Sequence, residues 1–198
     1  MKKTILIVII NLCFIITNAQ EISYGLVLGS NIKDIEVKGD LNAGSSYGLI
    51  NFGGFFDYQL NQSLGVKSNL LYSKTIDEYN SPGSFSTIEF KIATVQFHPL
   101  IKFDTNKEYN KGFYLIGGPR FSFILNVKDE DGDKVEDFYK GTNFGAMFGF
   151  GVVFLKHFGF ELIGDFGLSN MLDIEDNKTT TAGAFANLTL NLESLINN

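Results

Sequence analysis

Between Gly48 and Leu60 every second residue is apolar or glycine: Gly48, Ile50, Phe52, Gly54, Phe56, Tyr58 and Leu60. The interleaved set, Tyr47, Leu49, Asn51, Gly53, Phe55, Asp57 and Gln59, carries the polar groups. A period of two is the mark of a β-strand whose faces meet different surroundings. The rhythm recurs in eight runs, Ser23–Asn31, Tyr47–Leu60, Leu64–Tyr79, Thr87–Phe103, Gly112–Leu125, Asn143–Leu155, Phe158–Ser169 and Thr181–Leu192. In the fourth run it slips: Ile88, Phe90 and Ile92 are even-numbered, whereas Val95, Phe97, Ile101 and Phe103 are odd. A slip of one residue turns every following side chain to the other face, which predicts a β-bulge near Ala93-Thr94. Pro99, unable to donate to a ladder, belongs at an edge or irregularity.

The connections alternate in length. Residues 61–63, 104–111 and 156–157 make the shorter ones; 32–46, 80–86, 126–142 and 170–180 make the longer, polar ones. Short turns at one end and long loops at the other, with an even strand count, predict an all-β fold, an eight-stranded antiparallel up-and-down transmembrane β-barrel. Its short turns and both termini face the periplasm.

The N-terminus supports export. Lys2 and Lys3 precede an apolar stretch, Ile5–Ile16, and Thr17-Asn18-Ala19 supplies the small residues of a cleavage site after Ala19. Residues 1–19 read as a signal peptide, too short in its apolar part to span a bilayer, and residues 20–198 as one barrel domain. No later apolar run has spanning length. The single cysteine, Cys13, lies in the signal, so the mature chain has no disulfide, thiol nucleophile or thiolate metal site. With Lys2 and Lys3 removed, 14 basic face 22 acidic residues, which disfavours a nucleic-acid partner, since that needs clustered positive charge; none is expected.

Alternation alone leaves open which face points outward. A soluble exported barrel of the lipocalin kind hides its apolar face around a small apolar ligand; a membrane barrel turns it to outer-membrane lipid. The apolar face here is bulky with phenylalanine, and an eight-stranded barrel has little interior space. The opposite face is rich in glycine, which suits a narrow lumen and makes a poor solvent-exposed strand surface. That face carries Asp57, Lys67, Arg120, Glu161 and Asp165. Arg120 and the Glu161/Asp165 pair are expected to meet across the lumen, as a polar plug rather than a proton or ion path, because side chains fill barrels of this size.

At this point the chain resembles the PorT-type outer-membrane β-barrel proteins of Bacteroidetes. The resemblance is carried by Gly25–Asn31 (GLVLGSN), Val95–Phe103 (VQFHPLIKF), Gly112–Pro119 (GFYLIGGP), Asn143–Val153 (NFGAMFGFGVV) and Phe160–Leu172 (FELIGDFGLSNML). It implies an eight-stranded outer-membrane barrel. The chain departs from such barrels at its end: no aromatic follows Phe185, and Leu190 or Leu192 would take the place of the usual terminal aromatic.

Candidate chemistry is sparse. The densest acidic cluster is Asp129-Glu130-Asp131-Gly132-Asp133 with Glu136 and Asp137, but its glycine and twelfth position do not fit a calcium loop, and a solvated or partner-binding loop is the expectation. The histidines, His98 and His157, belong to no assignable triad. No catalytic residue, cofactor or metal ligand is expected. The predicted role is structural, adhesive or accessory to a surface complex, with a protein partner engaged through the extracellular loops; the pattern specifies no oligomeric state.

Overall fold

The computed structural model describes residues 21–38, 44–80, 87–106, 108–135, 138–172 and 178–196. The expected signal peptide and several loop tips lie outside these residues. Eight strands close into one antiparallel barrel: β1 (Ile22–Lys38), β2 (Gly44–Gln59), β3 (Leu64–Asn80), β4 (Thr87–Asp104), β5 (Gly112–Lys128), β6 (Thr142–Phe154), β7 (Phe158–Gly167) and β8 (Lys178–Asn191). Each pairs with its sequence neighbour, and β8 closes on β1 from Gly25↔Asn191 to Lys38↔Lys178. A short helix, α1 (Glu193–Ile196), follows.

The alternating apolar residues face outward all around the ring. Phe52, Leu70, Phe121, Phe148, Phe166 and Leu188 are exposed, with Phe148 at 65%. The lipocalin-like alternative requires the reverse orientation and is discarded. Against the roughly 9–11 tilted residues that cross a hydrocarbon layer, β3 and β4 are 17 and 18 residues long. Their upper ends therefore stand above the apolar band on the side of the long loops. β1 is extended in the same way: Ile32–Lys38, expected as loop, continues the strand against β2 and β8. Its polar residues there belong to the projecting wall.

The predicted bulge sits at the expected place but on the other strand. Ala93 pairs with Asn126 and Thr94 with Ile124, so the extra residue is Leu125 of β5. In β4 the lumen-facing parity runs unbroken through Ile92, Thr94, Gln96, His98, Leu100, Lys102 and Asp104. The apparent slip came from a change in what the inner face meets: Phe90 turns inward onto an apolar cap instead of outward. A second bulge was not expected. Gly48 pairs with Thr75 and Ile50 with Lys74, which leaves Leu49 extra in β2. Gly48 is accordingly on the buried side, not on the face of Ile50 and Phe52. The β4–β5 pairing also lapses between Phe97↔Phe121 and Ile101↔Gly117. Pro99 and Pro119 fall in that gap, and neither has an N–H to offer.

Candidate functional site in the barrel lumen

The lumen is packed with side chains in four tiers. The lowest, nearest the short turns, is ionic. Lys67 of β3 reaches across the ring to Glu161 of β7, and Tyr114 donates its hydroxyl to the same Glu161 Oε1 at 2.9 Å. Beside it Lys102 Nζ lies 3.0 Å from Asp57 Oδ2 and 3.5 Å from Asp104 Oδ2. Tyr109, in the β4–β5 connection, donates to Asp57, and Lys102 donates to Asn110. Asn110 in turn donates to Ser23 Oγ at 2.8 Å, so this connection folds under the lower mouth and stitches it shut. The lysine ammoniums also sit on aromatic faces: Lys67 is 4.5 Å from the Phe55 ring centroid, and Lys102 is 4.3 Å from that of Tyr109. Burial, then the negative charge of Asp57, raises the Tyr109 hydroxyl well above its ordinary pKa and keeps it a donor.

Above this tier the lumen turns apolar. Leu100, Ile116, Met147, Ile163 and Phe185 form a buried cluster with Tyr114, flanked by Val27, Phe55 and Leu71. The third tier is polar again. Arg120 donates from Nε to Asp165 Oδ1 at 2.7 Å and from Nη2 to Asn143 Oδ1 at 2.8 Å. Ser73 donates to Asn51, and His98 shares a hydrogen bond of 3.1 Å with Gln96 while meeting Phe185 edge-on. His98 is thus a packed core histidine, well away from His157, which bonds Ser194 of α1 through Nδ1 at 2.8 Å.

The glycines make room for these side chains. A Cβ on Gly151 would collide with the Tyr114 ring, and one on Gly149 with the backbone of Leu162 and Ile163. Tyr114 therefore reaches Glu161 because β6 opposite it is bare.

The top tier is an aromatic lid. Ile35, Tyr79, Met171 and Leu172 are buried together, with Phe90, Phe138 and Tyr139 packed on them. Phe138 and Tyr139 come from the β5–β6 loop and Met171 and Leu172 from the β7–β8 loop, bridged at Tyr139↔Leu172. Tyr139 is within 3.2 Å of both Asp77 Oδ2 and the Tyr79 hydroxyl. Burial first, and the Asp77 charge second, push its hydroxyl far above the ordinary tyrosine range.

Of the residues singled out from the sequence, Arg120 meets Asp165 as expected but not Glu161, whose partner is Lys67. Asp57 pairs with Lys102, which sequence reasoning missed although Ile101 and Phe103 on either side mark it as lumen-facing. Lys33, Asp77 and Asp104, also on inner-face positions, were missed too. The acidic loop is a tight turn, in which Asp129 Oδ1 accepts from the Asp133 N–H at 2.8 Å and Gly132 takes φ +89°, and Glu130 Oε1 accepts from the Glu89 N–H of β4 at 3.1 Å. Among the described residues no three His, Cys, Asp or Glu side chains converge as a metal would need; Glu136 and Asp137 lie outside them.

Comparison with known proteins agrees with this geometry. The outer membrane protein beta-barrel domain family matches residues 18–173. Among solved structures the chain is similar to Neisserial surface protein A, with 11% identity, a TM-score of 0.54, and coverage of 87% of this chain and 99% of that one. It is also similar to Ail, the attachment invasion locus protein of Yersinia pestis, in its complex with the heparin analogue sucrose octasulfate. There the identity is 12% and the TM-score 0.53, with the same coverage. At such identities the likeness is one of fold. Comparison with curated proteins gives no match. An outward apolar band on a closed eight-stranded ring, with a match over most of its length, places the chain in the outer membrane β-barrel domain family, an integral protein of the outer membrane.

Proposed function

We propose that this protein is a non-catalytic outer-membrane barrel that acts through its outward-facing loops, in a structural, adhesive or surface-complex accessory role, as a member of the PorT-type group of Bacteroidetes. Residues 1–19 are its export signal, cut after Ala19. One observation carries this reading: the lumen is filled from end to end, with an apolar tier between two ionic ones and a lid above. An ion crossing it would lose most of its water in the apolar tier, a cost of several kcal/mol. Asp57, Lys67, Arg120, Glu161 and Asp165 are then structural charges that hold the wall together. With the interior closed, contact with a partner is left to the loops and the upper wall. The similarity to Ail, a protein solved with a heparin analogue, is consistent with an adhesive use of that surface.

Conductance in planar bilayers tests the reading. The purified barrel is expected to give no steady current; a stable open channel of porin size would overturn the closed-lumen argument.

A further inference from the structure

We infer that the outer wall of β3–β5 carries a docking site for a phosphorylated lipid of the outer leaflet. It rests on membrane placement and not on what the loops do. Lys74, Lys91 and Lys128 are exposed on three consecutive strands and line an open groove of about 530 Å³ whose floor includes Tyr72, Ile76 and Ala93. The register sets the spacing. Lys74 stands opposite Ala93, Lys91 lies between Ile76 and Lys128, and Lys91 and Lys128 are direct cross-strand partners. Two ammoniums directly opposite one another repel and weaken the pair. None of the three has an ion-pair partner among the described residues. An anion between them turns the repulsion into attraction.

The bulge is what builds the cluster. Up to Leu125 the odd-numbered residues of β5 face outward; after it Val127 is buried and Lys128 is exposed. Without the extra residue Lys128 would point inward, and Val127 would take its place on the wall. Bulges commonly re-aim a side chain in this way.

Position identifies the ligand. The lysines sit at the loop-side end of their strands. Immediately below them lie Tyr72, Val95 and Phe123 of the apolar band, so the groove joins a lipid-facing surface to a cationic rim. Lysine stems lie along apolar surface while the ammonium reaches the headgroup level. At the same end β1 exposes Asp34 and Glu36, and beyond the lysines Glu78 and Glu89 stand opposite one another on β3 and β4, so carboxylates bound the cationic stretch on its loop side. A molecule with acyl chains in the groove and phosphate at the rim satisfies both halves; a soluble anionic sugar satisfies the rim alone.

The test uses the refolded barrel in neutral detergent, with native mass spectrometry against diphosphoryl lipid A and against phosphatidylcholine. Retention of lipid A but not phosphatidylcholine is expected. Each lysine contributes on the order of five-fold to attraction of an anionic headgroup. The K74Q/K91Q/K128Q variant should therefore bind lipid A on the order of a hundred-fold more weakly, while Lys111→Gln, at the opposite end of the barrel, leaves binding unchanged. Lys91→Glu separates a site effect from damage to the fold: it should weaken lipid A binding yet raise the melting temperature in lipid-free detergent, because it replaces a repulsive pair with an attractive one. Unchanged lipid A binding by the triple variant would overturn the proposal. So would a wild-type preference for sucrose octasulfate over lipid A at these lysines.

Discussion

The ion pair between Lys67 and Glu161 ties together strands on opposite sides of the ring, so its removal probes whether the lumen holds the barrel closed. Both side chains are essentially inaccessible, at 3% and 0% exposure. Lys67→Met leaves a carboxylate buried with the Tyr114 hydroxyl but without its cation. Removing one partner of such a pair costs about 3–5 kcal/mol, roughly a fifth or more of the stability of an ordinary domain. Glu161→Gln should cost less, about 2–3 kcal/mol, because the ammonium keeps the Phe55 face at 4.5 Å and that of Tyr114 at 5.8 Å. The double variant K67M/E161Q carries no charge and similar volume, and should lie within about 1 kcal/mol of the wild type. The singles are thus far from additive, with an interaction energy of at least ~3 kcal/mol.

The chain has no tryptophan, so the assay is guanidinium unfolding in phosphatidylcholine vesicles followed by far-ultraviolet circular dichroism, with heat-modifiable gel migration as a check on closure. If the two single substitutions add to within ~0.5 kcal/mol, the pair is two independent wall residues, and the idea of a lumen cross-tie fails.

Three further outcomes follow from the tiers. The F138A/Y139A variant should increase labelling of lid residues by water-soluble reagents yet leave planar bilayers without current, because the ionic and apolar tiers below remain; an open channel in this variant would mean that the lid alone seals the lumen. Gly151→Val should destabilise the barrel by about 1–3 kcal/mol, since Tyr114 is pinned by Glu161 and cannot yield. Gly54→Ala, on the outer face, should be tolerated, and equal effects in thermal unfolding would refute the close-packing argument. Because the Tyr139 hydroxyl has a raised pKa when folded, the unfolded state loses that proton first, once pH passes about 10. Stability should then fall by up to ~1.4 kcal/mol per pH unit relative to Tyr139→Phe, and parallel alkaline profiles for the two proteins would contradict the buried hydroxyl.

How far the chain could be read depended on whether one face met one environment. From Leu64 to Tyr72, and along β6 to β8, lipid lies outside and packed side chains inside over the whole run, so a two-residue period gave strands and faces together. Lys67, Asn69, Glu161 and Asp165 were placed inward on that basis, and Arg120 on the same alternation in the part of β5 below Leu125. The reading broke where the inner environment changed along a strand. Near the lid the interior turns apolar, so Ile92 and Phe90, on the same side as His98 and Lys102, looked like a phase slip in β4. Hydrophobicity cannot separate a flipped side chain from an unflipped one that meets an apolar cap; only the partner strand's register can, and it puts the extra residue at Leu125. Pair identity was lost for a related reason. Strand order says which charges face inward, but β3 meets β7 only across the closed ring, so which lysine serves which carboxylate depends on height above the lower turns. Glu161 stands four residues below Asp165 on β7, level with Lys67 near the start of β3, and Arg120, higher on β5, reaches only Asp165. The bulge matters for the same reason in reverse. A single residue at Leu125 alters no composition and breaks no hydrophobic run, yet it decides whether Lys128 is a lumen charge or the third member of a cationic rim on the membrane-facing wall.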